Sequence, residues 1–109
     1  MLRSQLLKGT VQYLVLSVLK DGELYGYEIA QHIRQRSGAQ LAPSEGSLYP
    51  ALHRLEQQGA LVAEWRQGDR GPRRRYYRLT PQGGKLLVES RAEWEAFSGV
   101  IARVARTAE

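Results

Sequence analysis

The sequence predicts a mainly α fold of the α+β class, with three short helices, a β-hairpin and one long terminal helix. Three observations support this prediction. Apolar residues recur at helical spacing in three separate segments before residue 60. Two alternating segments flank a glycine- and proline-containing turn between residues 61 and 79. After Thr80-Pro81 a fourth helical pattern continues almost to the end of the 109 residues.

The first two helices follow from their apolar spacing. The first should run from about Thr10 to Lys20 and end at Asp21-Gly22. Its buried stripe is formed by Val11, Leu14, Val15, Val18 and Leu19. Before it, the chain offers a short turn or an arm that carries Leu2, Leu6 and Leu7. The second helix should run from about Tyr25 to Arg36, with Ile29, Ala30 and Ile33 as its apolar stripe. Gly38 suits the left-handed position just past its end.

The third helix has an inward stripe and an awkward proline. The stripe consists of Leu48, Ala51, Leu52 and Leu55. If Ser44 caps this helix, Pro50 falls in the second turn, where it removes a hydrogen bond and crowds the preceding turn. A later start near Ser47 would place Pro50 in the first turn at little cost. We therefore expect the later start, with residues 44–46 as a tight lead-in and Gly59 after the end.

A hairpin should follow the third helix. Residues 61–66 and 74–79 alternate as strands do, and residues 68–72 between them have turn composition. A lone hairpin is marginally stable in water, so this one must pack on the helices. Trp65, on the first strand, is expected to be a core residue or a support for the hairpin.

The last helix should begin with Thr80 as its cap and Pro81 at its first position, and it should reach about Arg106. At about 1.5 Å per residue it is roughly 39 Å long, more than so small a domain can cover. Gly83 and Gly84 weaken its start. Its apolar seam is formed by Leu87, Trp94, Phe97, Ile101 and Val104. Such a seam needs a partner, most simply the same helix of a second chain.

This order of elements is that of a winged helix-turn-helix followed by a dimerisation helix. We assign residues 1–80 to DNA binding and residues 81–109 to dimerisation.

The charge balance favours an anionic partner. Sixteen Lys and Arg residues against eleven Asp and Glu give a net charge of +5, although a generally basic, solvated surface is an alternative. The absence of cysteine excludes disulfides and thiolate chemistry. No apolar stretch reaches the roughly 18 residues of a membrane span, and the first residues lack the apolar core of a signal peptide. We expect a cytoplasmic protein with no membrane partner.

The outer face of the third helix carries side chains suited to DNA. Hydroxyl groups can donate to phosphates, and histidine or arginine can reach a phosphate or a guanine edge. For Tyr49 the alternative is a packing role, and for His53 it is simple solvation. Arg54 could instead pair with Glu45 or Glu56. The candidate DNA-binding residues of this segment are Ser44, Ser47, Tyr49, Pro50, His53 and Arg54.

The hairpin is rich in arginine and suits a phosphate clamp. It carries Arg66, Arg70, Arg73, Arg74, Arg75 and Arg78. Arg70, Arg73 and Arg74 are the main candidates, and their mobile tip could enter a narrow minor groove. We also assign Arg75 to DNA, with the alternative that Arg75 or Arg78 pairs with Glu64 across the hairpin. The other alternative is that these arginines are simply a solvated run of charge. If they contact DNA, the affinity for DNA should fall steeply as the salt concentration rises.

Several segments together resemble the PadR family of bacterial repressors. They are residues 24–29 (LYGYEI), residues 46–50 (GSLYP) with Leu52, Leu55-Glu56 and Gly59, and residues 75–83 (RYYRLTPQG). The similarity covers about residues 10–104 and is to the short subgroup with a single C-terminal helix; Gly84 is a departure. The resemblance implies a homodimeric regulator, usually a repressor, that binds a two-fold operator. Its third helix would enter the major groove, its wing would touch the backbone or minor groove, and a small molecule at the dimer interface would release DNA.

Trp94 lies in the middle of the seam and allows two interpretations. It is either simple dimer core, or it lines a pocket with its symmetry mate for a flat aromatic or apolar ligand. Phe97, Val11 and Val15 would complete such a pocket.

The two other functional classes are an enzyme and a protein-interaction module. His32 and His53 are the only histidines, and no carboxylate cluster, nucleophile elbow or phosphate loop occurs, so we expect no enzyme, no cofactor and no metal. The alternative function is a winged-helix interaction module that binds an acidic protein partner and has no operator of its own.

Overall fold

The computed structural model describes residues 10–68 and 70–106; Leu2, Leu6 and Leu7, for which a turn or an arm is predicted, lie outside them. In chain order the elements are α1 (Val11–Val18) with a 3₁₀ turn (Leu19–Asp21), β1 (Leu24–Tyr25), α2 (Gly26–Arg36), α3 (Glu45–Gln57), β2 (Leu61–Gln67), β3 (Arg73–Leu79) and α4 (Pro81–Ala105). The predicted fold class is confirmed, because three helices precede a hairpin and a long helix follows it.

The sheet has one strand more than the predicted hairpin. β2 and β3 pair antiparallel from Leu61 opposite Leu79 to Gln67 opposite Arg73. β1 adds to the other edge of β3, where Leu24 and Tyr25 lie opposite Tyr77 and Tyr76. Two residues are too few to produce an alternation pattern, so the sequence did not predict this strand. It ties the base of the hairpin to the start of α2, and residues 73–75 of β3 extend beyond it.

One core holds the helices and the sheet together. The predicted inward stripes of α1, α2 and α3 all face it, and Tyr77 of β3 and Leu87 of α4 close it. Its most deeply buried side chains are Val15, Leu16, Leu19, Ile29, Leu52 and Leu55. The outer faces of α3 and of the hairpin therefore take no part in the core.

The expected late start of α3 is wrong. Ser44 occupies the N-cap position, and the backbone N–H groups of Ser47 and Leu48 donate to its carbonyl at 3.1 and 2.8 Å. Pro50 therefore lies in the second turn, where it cannot donate to the carbonyl of Gly46. The fold tolerates this because the first turn is already closed and Gly46 is exposed, so its carbonyl stays accessible to water.

The start of α4 is fixed by contacts with the end of α3. As predicted, Thr80 caps the helix: its hydroxyl accepts from the Gly83 N–H at 3.0 Å and donates to the Gly59 carbonyl at 2.6 Å. Gly83 is buried, and a Cβ there would overlap the carbonyl oxygen of Ala60. Gly83 is thus a site of close approach between two backbones, in addition to being a weak helix former.

Beyond its first three turns α4 leaves the core, and residues 91–101 are all exposed. No helix within the described part of the chain is both long and apolar enough to cross a membrane.

Candidate nucleic-acid interface

The outer face of α3 is polar and open. Its inward stripe is buried, so the opposite side chains point away from the core. Among the six candidates on this segment, Ser47 is half-buried and the other five are exposed: Ser44, Tyr49, Pro50, His53 and Arg54. The structure therefore leaves this surface available to a partner.

Tyr49 combines the two roles between which the sequence left a choice. Its side chain is 47% exposed. A Cβ added at Gly26 would lie 3.0 Å from the Tyr49 hydroxyl and 3.2 Å from Cε1, so the ring packs closely on the start of α2. Tyr49 thus holds α3 against α2 while it offers part of its surface to a partner.

Arg54 keeps its charge free for a partner. In residues 10–68 and 70–106 it forms no ion pair, since Glu56 pairs with Arg75 instead and Glu45 pairs with nothing. The alternative that Arg54 pairs with either glutamate is therefore wrong.

The strand register separates the wing arginines into two groups. Arg75 lies opposite Trp65, whereas Glu64 lies opposite Tyr76, so Arg75 and Glu64 point to different faces of the hairpin. The alternative that Arg75 pairs with Glu64 is wrong for this reason. Arg78 shares the face of Glu64 but lies opposite Val62 and forms no ion pair with any described residue, so the same alternative is wrong for Arg78 as well. Glu64 is contacted by Arg66 at 3.4 Å, and Arg66 also pairs with Glu23 at 2.5 Å.

Arg75 ties the wing to α3. Its Nη2 donates to Oε2 of Glu56 at 2.6 Å, and both side chains are only partly exposed. This ion pair lowers the availability of Arg75 to a phosphate and fixes the angle between the wing and α3. Arg75 therefore combines its predicted place on the DNA-binding surface with a positioning contact.

The remaining wing arginines are free cations on an exposed surface. Arg70, Arg73, Arg74 and Arg78 are exposed, and none forms an ion pair with any residue that the structure describes. Arg73 lies over the Trp65 ring at 5.5 Å, and Arg74 lies over the Tyr25 ring at 4.5 Å. These stacks orient the guanidinium groups and leave their charge in place.

Trp65 is 55% exposed, so its expected place in the core is wrong, while its role as a support for the wing is consistent with the contact from Arg73.

A cleft, which we call the wing cleft, separates the base of the wing from α2 and α3. Its volume is about 410 Å³. It is lined by Tyr25, Gly26, Tyr49, Trp65, Arg73, Arg74, Arg75 and Tyr77. It exists because β1 stops at Tyr25, which leaves residues 73–75 of β3 without a neighbouring strand on that side.

The sequence had not assigned Tyr25 and Gly26 to the site. The segment LYGYEI, which contains both residues and carries part of the family resemblance, is the signal that could have indicated that they lie at the site.

Two details of the wing cleft concern its inner end. Nε of Arg75 is buried and has no hydrogen-bond partner. Burial raises the pKa of the Tyr77 phenol above its ordinary value of 10.0, although the neighbouring Arg75 guanidinium opposes this shift. The inner end of the cleft is therefore poorly solvated and contains an unsatisfied donor.

The residues predicted for the seam and its ligand pocket divide into two sets. Val11 and Val15, which were expected to complete the pocket, and Leu87 of the seam are buried in the core of the chain, so they are not part of an exposed surface. Trp94, Phe97, Ile101 and Val104 are exposed on α4, and Val100 beside them, which the sequence interpretation had omitted, is exposed as well. The rings of Trp94 and Phe97 lie 6.1 Å apart. An unpartnered apolar stripe therefore runs along the outer half of α4.

Comparison with known proteins gives a consistent result. Residues 15–89 match the model of the transcriptional regulator PadR-like family. The transcriptional regulator Rv3488 of Mycobacterium tuberculosis is 41% identical over 88 residues, which cover 81% of this chain and 78% of that protein. A solved structure of a transcriptional regulator from Clostridium thermocellum matches with a TM-score of 0.86 and 34% identity, over 97% of this chain and 100% of that one. A PadR family transcriptional regulator from Eggerthella lenta matches with a TM-score of 0.82 and 33% identity, over 95% and 88% of the two chains.

Proposed function

The chain belongs to the PadR-like family of transcriptional regulators, and from this premise we propose that it is a homodimeric repressor that binds a pseudo-palindromic operator. The resemblance predicted from the sequence is confirmed. Its relatives are regulators of transcription, so the chain is a DNA-binding regulator and not an enzyme. We further propose that the protein dimerises, represses transcription and responds to a ligand, and that it is located in the cytoplasm.

The observation that carries the proposal is the joint surface of α3 and the wing. The exposed outer face of α3 and the free arginines of β3 meet at the wing cleft, and the Arg75–Glu56 ion pair holds them at a set angle. We assign α3 to the major groove, where Arg54 and His53 read base edges and Tyr49 contacts a phosphate. Arg70, Arg73 and Arg74 bind the backbone or a narrow minor groove beside it.

The exposed stripe of α4 supports the dimer. Phe97, Ile101 and Val104 are at least half exposed in the protomer, which is unusual for large apolar side chains on one helix face. Packing this stripe on its symmetry mate would bury it and set the distance between the two α3 helices. Residues 1–80 would then bind DNA and residues 81–109 would dimerise.

We also propose a ligand site on this stripe. Trp94 and its symmetry mate would form aromatic walls for a flat aromatic or apolar ligand, and Phe97 would lie beside them. A ligand that favours a different subunit spacing would weaken operator binding by linkage. Replacing Trp94 with Ala and titrating a fluorescent planar dye tests this site: an unchanged affinity for the dye contradicts it.

The proposed function is tested by fluorescence anisotropy. The purified protein is titrated into labelled duplex DNA from the region upstream of its own gene, at two salt concentrations, with a scrambled duplex as the control. We expect tight, salt-sensitive binding that prefers the upstream duplex. Equal and weak binding to both duplexes contradicts an operator at that place and favours an acidic protein partner for the basic face.

A further inference from the structure

We propose that Glu56 and Glu23 are positioning residues for DNA recognition: through Arg75 and Arg66 they hold the wing, which consists of β2 and β3, from both of its faces, and so make binding selective for the operator. The role in selectivity rests on the proposed function, whereas the holding of the wing does not. We call the Glu56–Arg75 pair the inner clamp and the Glu23–Arg66 pair the outer clamp.

The outer part of the wing has no support from the rest of the sheet. β1 pairs with β3 only at Tyr76 and Tyr77, so from Arg75 to the turn the wing is a ribbon of two strands. Ribbons of two strands twist more than larger sheets and are marginally stable alone. Without further contacts, the free arginines of the wing would not keep one position relative to α3.

The two clamps attach at the first two residue pairs beyond β1. Arg75 lies opposite Trp65, and Arg66 lies opposite Arg74 in the next pair. Because successive pairs along two strands face opposite sides, the two clamping arginines point to opposite faces of the wing. An attachment on each face at this height opposes bending of the wing in both directions.

The inner clamp connects the wing to α3 itself. Nη2 of Arg75 donates to Oε2 of Glu56 at 2.6 Å, and Glu56 lies in the last turn of α3, next to the fully buried Leu55. Cζ of Arg75 also lies 5.6 Å from the centroid of the Tyr77 ring, which is buried. The wing is therefore held against a part of the molecule that is fixed by the core.

The outer clamp crosses the whole sheet. The strands lie in the order β1-β3-β2, and Arg66 of β2 reaches past β3 to Glu23, which directly precedes β1. Its guanidinium lies over the Tyr76 ring, 4.9 Å from the centroid. Nη2 of Arg66 lies 2.5 Å from Oε2 of Glu23 and 3.4 Å from Oε2 of Glu64. Since Glu64 belongs to the wing, only Glu23 links this arginine to the rest of the chain.

The clamps affect orientation more than stability or charge attraction. The four clamp side chains are 27–42% exposed, and ion pairs at such positions contribute little to stability. An arginine held by a carboxylate is also less available to a phosphate, so the inner clamp weakens the part of DNA binding that does not depend on sequence. A wing fixed relative to α3 is instead preorganised for one spacing of groove contacts, which favours the operator over other DNA.

The test measures the affinity of the complete protein for the upstream duplex and for the scrambled duplex, and takes the ratio of the two. Glu56→Gln and Arg75→Gln break the same clamp with opposite changes of charge. We expect both to lower the ratio by about tenfold, the lower end of the effect of one mismatched base pair. The affinity for the scrambled duplex should rise in Glu56→Gln, with a salt slope steeper by about 0.9, and should not rise in Arg75→Gln.

Glu45→Gln is the matched control, because Glu45 is exposed on α3 and forms no ion pair with any described residue. It removes the same charge from the same helix and should leave the ratio unchanged. An equal fall of the ratio in Glu45→Gln and Glu56→Gln overturns the proposal, and so does an unchanged ratio in Glu56→Gln. The double variant Glu56→Gln with Arg75→Gln should match the single variants in its ratio, since both disrupt one contact; additive losses contradict the inner clamp.

Hydrogen exchange of the protein without DNA tests directly whether the wing is held. Peptides within residues 61–79 should exchange faster in Glu56→Gln and in Glu23→Gln than in the wild-type protein, and at the wild-type rate in Glu45→Gln. Glu23→Gln should also lower the ratio of affinities. Exchange that is unchanged in both clamp variants overturns the proposal.

The proposed function and this proposal fail in different ways. If the wild-type protein prefers neither duplex, the proposed function is contradicted, and the role of the clamps in selectivity is contradicted with it. Faster exchange of the wing in the clamp variants would still show that the two carboxylates hold it. If the wild-type protein and the clamp variants prefer the upstream duplex equally, the proposed function stands and the role of the clamps in selectivity is wrong.

Discussion

At the scale of single residues, Gly83 shows how one missing side chain positions α4. A Cβ there would overlap the carbonyl oxygen of Ala60 and lie 2.9 Å from its carbon, both of which are backbone atoms that cannot turn aside. At Gly84, apart from the neighbouring residues and the backbone of the helix itself, no atom lies within 4 Å of the corresponding position. Two adjacent glycines with the same helical environment therefore differ in what they tolerate.

Gly83→Ala should destabilise the protein by about 2 kcal/mol or more, because α4 must shift away from the backbone of Ala60 to accommodate the methyl group. Gly84→Ala should be neutral or stabilising by up to about 1 kcal/mol, as expected for alanine in an open helical position. Urea denaturation of both variants measures the difference. Equal stability of the two variants would contradict the close approach that the structure describes.

Tyr77, a core residue, makes the stability of the protein depend on pH. Burial raises the pKa of its phenol above the ordinary 10.0, so folding favours the neutral form. This contribution to stability is fully present below pH 10.0 and is lost as the pH rises through the higher pKa of the folded state.

The free energy of unfolding of the wild-type protein should therefore fall relative to that of Tyr77→Phe as the pH rises above 10.0. Urea titrations of the two proteins at a series of alkaline pH values measure the difference, in which the titration of all other groups cancels. A difference that stays constant across the series would show that Tyr77 does not carry the effect.

At the scale of elements, the strand register of the wing decides which face each arginine occupies. Alternation along β3 places Arg73, Arg75 and Tyr77 on one face and Arg74, Tyr76 and Arg78 on the other. Arg75 is used to hold the wing to Glu56, while the arginines nearer the tip stay free. The hairpin therefore has a fixed base and a charged outer end.

Arg70→Gln at this outer end should weaken binding to the operator and to scrambled DNA by similar factors and lower the salt slope by about one. Arg103→Gln, which makes the same change of charge on exposed α4, is the control and should leave the salt slope as it is. Both are measured by anisotropy at several salt concentrations. A loss confined to the operator would mean that Arg70 reads bases instead of phosphates.

At the scale of the whole molecule, the question is what covers the outer half of α4. The chain extends 61 Å along its longest axis and 30 Å along the next, and the apolar stripe lies on the part of α4 beyond the core. A protein of this size rarely leaves such a stripe in water, since burying it is favourable by about 25 cal/mol per Å² of apolar area.

Ile101→Asp should shift the protein from dimer to monomer, because a carboxylate in the stripe would be desolvated against its symmetry mate. Val88→Asp is the control: Val88 is 69% exposed and lies about 140° around the helix from Ile101, at about 100° per residue. Sedimentation or light scattering measures the mass of each variant. A dimeric Ile101→Asp variant would place the interface elsewhere on the chain.

Local patterns in the sequence were enough for most of the fold. The stripes of α1, α2 and α3, the Thr80-Pro81 start of α4 and the turn between β2 and β3 depend on neighbours within a few residues, and each of these predictions is confirmed. The polar outer face of α3 followed in the same way, because a helix that buries one stripe must expose the opposite one.

Tertiary structure alone decided the features that depend on distant residues. β1 is a strand only because β3 lies beside it, and Glu56 pairs with Arg75 because the register turns that arginine toward α3. Trp65 is exposed because it lies on the outer part of β2, where the strand no longer contacts the core, and Gly83 is required because the backbone of Ala60 lies against it. The wing cleft arises from the same contacts. The sequence by itself determined which segments form helices and strands and which faces are apolar, since those are local properties; the choice of partner for each side chain required the packed chain.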